Sequence, residues 1–238
     1  MRMKSILAIF IFFSIVGWGP FSFIFNVSQD VVNNFETITG SKYWIEKTIK
    51  EITPQAKNLD TNVLELGLNA YVKAKKLGIN TKEVLTLVDY SKPSDERRLW
   101  VLDLKNKKVL YNTYVSHGKN SGLTNATSFS NKPQSLKSSL GVFITDASYF
   151  GGNGYSLKIK GLERTINDNA YNRSIVFHGA RYVSPQIANN GPIGRSWGCF
   201  AVSRDIIKPL IDTIKEKTLV VAYYPDKNWL NKSKFVNL

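Results

Sequence analysis

Two residues in this chain have the types and the order needed for nucleophilic chemistry: His178 and Cys199, the latter the single cysteine of the sequence. A thiol attacks as its thiolate, and imidazole is the side chain best suited to take the thiol proton near neutral pH. Seventeen residues separate His178 from Ser196, which opens the run Ser196-Trp197-Gly198-Cys199-Phe200-Ala201-Val202. Gly198 removes side-chain bulk just before the thiol, so backbone N–H groups at Gly198 and Cys199 are candidates to face a developing oxyanion. The competing reading is that Cys199 is a small buried hydrophobe in an apolar run. With only two His and one Cys in the chain, closely spaced soft ligands are missing, so neither a metal site nor a cofactor is expected.

The residues around this pair carry a resemblance. The segment is similar to the L,D-transpeptidase family of murein cross-linking enzymes, whose motif is a His, a spacer of this length, Ser or Thr, one residue, Gly and Cys. His178, Ser196, Gly198 and Cys199 match it. The likeness extends to Ser139-Leu140-Gly141-Val142-Phe143, Gly154-Tyr155-Ser156-Leu157-Lys158, Asn167-Asp168-Asn169-Ala170, His178-Gly179-Ala180 and Tyr182-Val183-Ser184-Pro185. It covers roughly residues 95 to 225. Two positions depart from the commoner pattern: Trp197 stands where a second His precedes the Gly, and Ala201 where an Asn or Arg follows the Cys.

The resemblance implies a reaction. Cys199 would attack the carbonyl of the third residue of a peptidoglycan stem peptide, His178 would act as base, and an amine acceptor would resolve the thioester after D-alanine leaves. The Gly179 carbonyl is the candidate to fix the imidazole tautomer, and Ser196 belongs to the catalytic motif. Substrate contacts are expected from Arg195 through a stem carboxylate, from Trp197 as an apolar wall, and from Tyr155 and His117 facing the same cleft. Water as acceptor would make the same site an L,D-carboxypeptidase. A non-catalytic cell-wall-binding module is a second alternative. A sortase-like transpeptidase would need an Arg beyond the Cys, for which Arg204 is the only nearby residue, and a papain-type peptidase would place Cys ahead of His.

Composition bounds the partners. The formal charge is +14, from 32 Lys and Arg against 18 Asp and Glu. The basic residues are scattered and no nucleic-acid-binding motif accompanies them, so no nucleic acid is expected. Anionic cell-envelope polymers suit a diffuse positive field. Arg2 and Lys4 precede an apolar stretch from Ile6 to Phe25. This reads as an export signal or N-terminal membrane anchor over residues 1–27, which would put the rest in the periplasm or cell envelope and limit membrane contact to that segment.

The elements that must position the pair follow from periodicity. A helical N-terminal region is expected over 28–93, polar and mixed up to Asp60. A helix capped by Asp60 or Thr61 and ended by Gly78 comes next, then a short second helix from Lys82 to Val88. Ser91-Lys92-Pro93-Ser94-Asp95 reads as the linker to a catalytic domain over 94–225, followed by a C-terminal tail over 226–238. Strands are expected at 98–104, 109–116, 140–145, 155–160, 174–177, 199–203 and 218–223. A helix capped by Ser203 and distorted by Pro209 should interrupt them. The fold class is therefore mainly β with flanking helices: an antiparallel sandwich or barrel with the helical segment before it. His178 would end one strand, Cys199 would begin another, and the 179–197 loop between them would act as a lid or clamp.

Overall fold

The computed structural model describes residues 39–236. The export signal or anchor expected over 1–27 lies outside them. The first helix, α1 (Lys42–Ile52), starts at Ser41, whose side chain accepts from the Trp44 N–H. Trp44, Ile45, Thr48 and Ile52 recur at helical spacing and are buried. This helix lies in a stretch that reads as merely polar and mixed, because lysines and glutamates on its outer face dilute the apolar stripe. The expected helix follows as α2 (Thr61–Lys76), with the Asp60 side chain accepting from Asn62 N–H. It ends where Ile79 N–H bonds Ala74 O and Gly78 N–H bonds Lys75 O, with Gly78 at φ +68°. That double closure is the glycine-terminated cap that satisfies the last free carbonyls.

The second short helix expected at 82–88 is instead a strand, β1 (Val84–Asp89). A short apolar run such as Val84-Leu85-Thr86-Leu87-Val88 fits a helix or a fully buried strand equally well, and tertiary pairing decides. Here Leu85 to Asp89 are all buried. The strand pairs antiparallel with β2 (Leu99–Asp103) and parallel with β8 (Leu219–Tyr223). Ser91–Asp95 is therefore the connection between two paired strands. One core runs across it, from Trp44 of α1 through the sheet to Val236.

The remaining strands are β3 (Lys108–Thr113), β4 (Gly141–Gly151), β5 (Gly154–Gly161), β6 (Val176–Ala180) and β7 (Phe200–Ser203). All eight strands form one sheet in the order β3-β2-β1-β8-β4-β5-β6-β7. The β1–β8 and β6–β7 pairs are parallel and the others antiparallel. The two outer ends come together through the segment after β3: Ser116 N–H bonds Ala201 O at 2.9 Å, and Gly118 bridges to Ser196. The result is a nearly closed, barrel-like sheet with helices around it.

Three helices complete it: α3 (Pro185–Ala188), α4 (Arg204–Ile214) and α5 (Lys227–Lys232). The α4 cap is Ser203, and the helix carries Pro209 in its interior through to Ile214. The expected C-terminal tail packs on the core as far as Val236: Trp229, Phe235 and Val236 are buried, and Trp229 Nε1–H donates to Glu163 Oε2 at 3.0 Å. A lone Trp in a lysine- and asparagine-rich stretch is a weak helix signal, and its burial is decided by the carboxylate it meets.

Candidate active site

Strand alternation places the pair. Along β6 and into β7, Phe177 and Phe200 turn one way and stack with centroids 4.8 Å apart, with Phe143 edge-on to Phe200 at 5.7 Å. Successive side chains in a strand point to opposite faces, so His178 and Cys199 turn the other way. Phe177 sits in register with Phe200 and His178 with Ala201, which sets Cys199 at the strand entrance beside the imidazole's strand. His178 lies within β6 rather than at its end, because the strand starts two residues later than expected and runs on past it to Ala180, paired with β7. Ser174, where the expected strand began, adopts a left-handed φ of +56°.

Both residues line one cleft of about 450 Å³, together with Asn153, Arg173, Ser174, Tyr182, Arg195, Ser196 and Trp197. His178 is only 6% exposed. Its Nδ1 lies 3.1 Å from Gly179 O. A carbonyl can only accept, so Nδ1 carries the proton and Nε2 the lone pair. Burial pulls the imidazole below its ordinary pKa, opposed by that hydrogen bond. Burial likewise pushes the Cys199 thiol up, opposed by the Val176 backbone N–H and by the Arg173 charge. The thiol donates to Ser174 O at 3.5 Å, so proton transfer to His178 requires the S–H to turn away from that carbonyl.

The turn before the thiol is built by Ser196. Its hydroxyl donates to Cys199 O at 2.7 Å and accepts from Gly198 N–H at 3.1 Å. This corrects the expectation that Gly198 N–H faces an oxyanion: the serine side chain has already taken that donor, a local side-chain-to-backbone closure typical of Ser in turns. Gly198 itself is required, since φ is +116° and an added Cβ would stand 2.7 Å from Lys137 O.

The expected substrate contacts divide. Trp197 and Arg195 line the cleft; Trp197 is 72% exposed, and Arg195 Nη1 is tied to Lys119 O (2.9 Å) and Gly122 O (3.1 Å). Tyr155 and His117 do not line it. Tyr155 faces α4, its hydroxyl donating to Asp212 Oδ1 at 2.8 Å, because its neighbour Ser156 is the residue in register with His178. His117 is wholly buried, with Nδ1 2.8 Å from Arg98 Nη2 and Nε2 3.3 Å from Gly122 O. The loop between the two candidate catalytic residues is no free lid: Val183, Ala188 and Ile193 pack with Ala180 and Ala201 in a small core of their own. Arg204 begins α4 behind Gly179 and is not among the cleft residues, so it does not supply a sortase-type arginine.

The residue that sequence reading missed is Arg173. Nothing in a motif marks it; only its place just ahead of β6 and the thiol's contact with Ser174 do so. A model of the L,D-transpeptidase catalytic domain family matches residues 55–223. The chain belongs to that family. The match begins in the helical region, ahead of the linker-like stretch, consistent with the core shared across it. No curated protein sequence matches the chain. Among solved structures, an L,D-transpeptidase from Mycobacterium smegmatis shares 15% identity over 60% of this chain and 59% of its own, with a TM-score of 0.39. One from Stackebrandtia nassauensis shares 13% over 75% and 77%, with a TM-score of 0.35. The chain thus spans about three-fifths of the length of the former, and the family assignment rests on the family model.

Proposed function

We propose that the protein is an exported peptidoglycan L,D-transpeptidase using Cys199 as nucleophile and His178 as base. The observation that carries this reading is the placement of the imidazole on β6 and of the thiol at the entrance to its parallel neighbour β7, both lining one cleft. In the proposed cycle His178 Nε2 takes the Cys199 proton, and Sγ bonds to the carbonyl carbon of the third stem residue. The tetrahedral oxyanion is held by the Cys199 N–H, since Gly198 N–H is engaged. Collapse breaks the bond to D-alanine, which leaves with the proton from His178. An acceptor amine then attacks the thioester, gives up its proton to His178, and the thiol is restored.

Arg195 suits a stem carboxylate and Trp197 an apolar or sugar face of the substrate, both from the cleft rim. The net charge of +14 suits anionic envelope polymers, and the basic-then-apolar N-terminus suits periplasmic or envelope placement. The deciding experiment incubates the protein with purified disaccharide tetrapeptides and follows products by mass spectrometry, beside Cys199→Ala and His178→Ala. Cross-linked dimer with loss of D-alanine, absent in both variants, is the expected result. Tripeptide alone would make the protein an L,D-carboxypeptidase. Retention on murein by wild type and Cys199→Ala alike, without product, would make it a binding module.

A further inference from the structure

The cleft poses an electrostatic problem. Burial favours the neutral forms of both the Cys199 thiol and the His178 imidazole, whereas thiol chemistry needs thiolate beside imidazolium. A cation nearby, itself not neutralised, is the simplest remedy. Two arginines line the cleft. Arg195 is exposed on the rim, where water screens it. Arg173 is half-buried and held differently.

Its guanidinium makes four hydrogen bonds, all to neutral acceptors: Nη1 to Ser130 O and Ser139 Oγ at 2.6 Å each, Nη2 to Ser135 Oγ at 3.1 Å and Lys137 O at 2.7 Å. Among the described residues no carboxylate pairs with it. Four of its five N–H groups are therefore satisfied while its full charge remains. It lies against the nucleophile's turn, since a Cβ built on Gly198 would stand 3.4 Å from Nη2. The backbone around it is pinned: Arg173 N–H bonds Asn169 O, and Asn169 is clasped to Asn131 through its N–H (3.0 Å) and its side-chain amide (3.2 Å). An arginine so occupied is poorly placed to clamp a substrate carboxylate and well placed to act as a fixed field.

We propose that Arg173 is a positioning residue that favours the thiolate of Cys199 as it forms, acting as an unpaired cation fixed against the Gly198 turn. This rests on the reading of Cys199 as the nucleophile. The other groups facing the thiol are His178 from β6, Tyr182 and Arg195 from the 179–197 loop, and Tyr90 from the end of β1; none of them is a buried cation. Proton transfer from Cys199 Sγ to His178 Nε2 then yields an ion pair whose negative member already faces a positive charge.

The test is the pH dependence of Cys199 alkylation by iodoacetamide, which reads the thiolate directly and does not depend on peptidoglycan as substrate. Arg173→Met should raise the inflection by about one pH unit or more. Arg173→Lys, which keeps the charge but cannot reproduce the forked hydrogen bonds, should stay close to wild type. A folded Arg173→Met with an unchanged profile overturns the proposal. So does Arg173→Lys shifted as far as a charge-removing variant would be, and this outcome can be read even if Arg173→Met does not fold. Failure of the tetrapeptide assay with this alkylation pattern intact would sink the transpeptidase reading and leave the role of Arg173 standing.

Discussion

The chain's two histidines lie in contrasting surroundings. His178 and His117 are both buried, and burial pulls both below the ordinary imidazole value, His117 to about 4. Around His117 both ring nitrogens are engaged, by Arg98 and by Gly122 O, and the fully buried Arg98 also reaches Val115 O and Lys92 O. Around His178 one nitrogen is fixed by Gly179 O, and the ring lines a cleft with a thiol. Burial alone does not make a base. A base needs one nitrogen oriented and the other left facing the reacting group, whereas an imidazole bonded on both sides is structural.

His117 still serves the site at a distance. Its carbonyl accepts from Ser196 N–H at 2.9 Å, and Lys119 N–H bonds Ser196 O at 2.8 Å. The Arg98–His117 pair thus stiffens the segment that frames the turn before Cys199. A similar division separates Arg98 from Arg173: Arg98 is sealed in the interior against His117, while Arg173 lies half-buried on the cleft.

Exchanging roles between the histidines should produce the largest effects. His178→Ala should cut the rate of acyl transfer by about 10²–10⁴-fold, and Cys199→Ala should abolish the acyl-enzyme seen by mass spectrometry. Both variants should unfold near the wild-type temperature. His117→Ala should do the reverse, lowering unfolding free energy by about 1–3 kcal/mol, because Arg98 loses an acceptor, and leaving the alkylation profile in place. Equal activity loss in the two histidine variants at equal stability would break the distinction.

The next effect is acid sensitivity. His117 folds with its pKa below the unfolded value, so its stabilising contribution is complete above about pH 6.5 and is lost as pH falls toward about 4. The shift corresponds to about 3 kcal/mol at most. Melting temperatures across that window should therefore fall more steeply for wild type than for His117→Ala; parallel curves would contradict the assignment. His178 adds in the same direction.

Smaller changes sharpen the cleft side. Gly198→Ala should cost about 1–3 kcal/mol, because a positive-φ alanine would press on Lys137 O, and unfolding midpoints in urea check it. Trp197→Ala should alter stability by less than about 0.5 kcal/mol, as expected for an exposed side chain, yet raise the KM for stem peptides. An unchanged KM would remove Trp197 from the substrate contacts.

Local chemistry determined part of this protein from the sequence alone. The Ser203 cap, Asp60 cap and Gly78 termination mark the ends of α4 and α2 because capping is satisfied within a few residues. The His178/Cys199 pair was legible from residue types and from the resemblance of its motif, and the strands around it because a strand's period assigns faces without reference to distant partners. Pairing across the sheet is non-local, so only the tertiary structure decided the rest. It made Val84–Asp89 a central strand rather than a helix, and it carried one core past residue 93. It turned Tyr155 toward Asp212 and sealed His117 against Arg98. It also brought Arg173 beside Gly198 through acceptors about forty residues earlier in the chain, and no spacing rule encodes that contact.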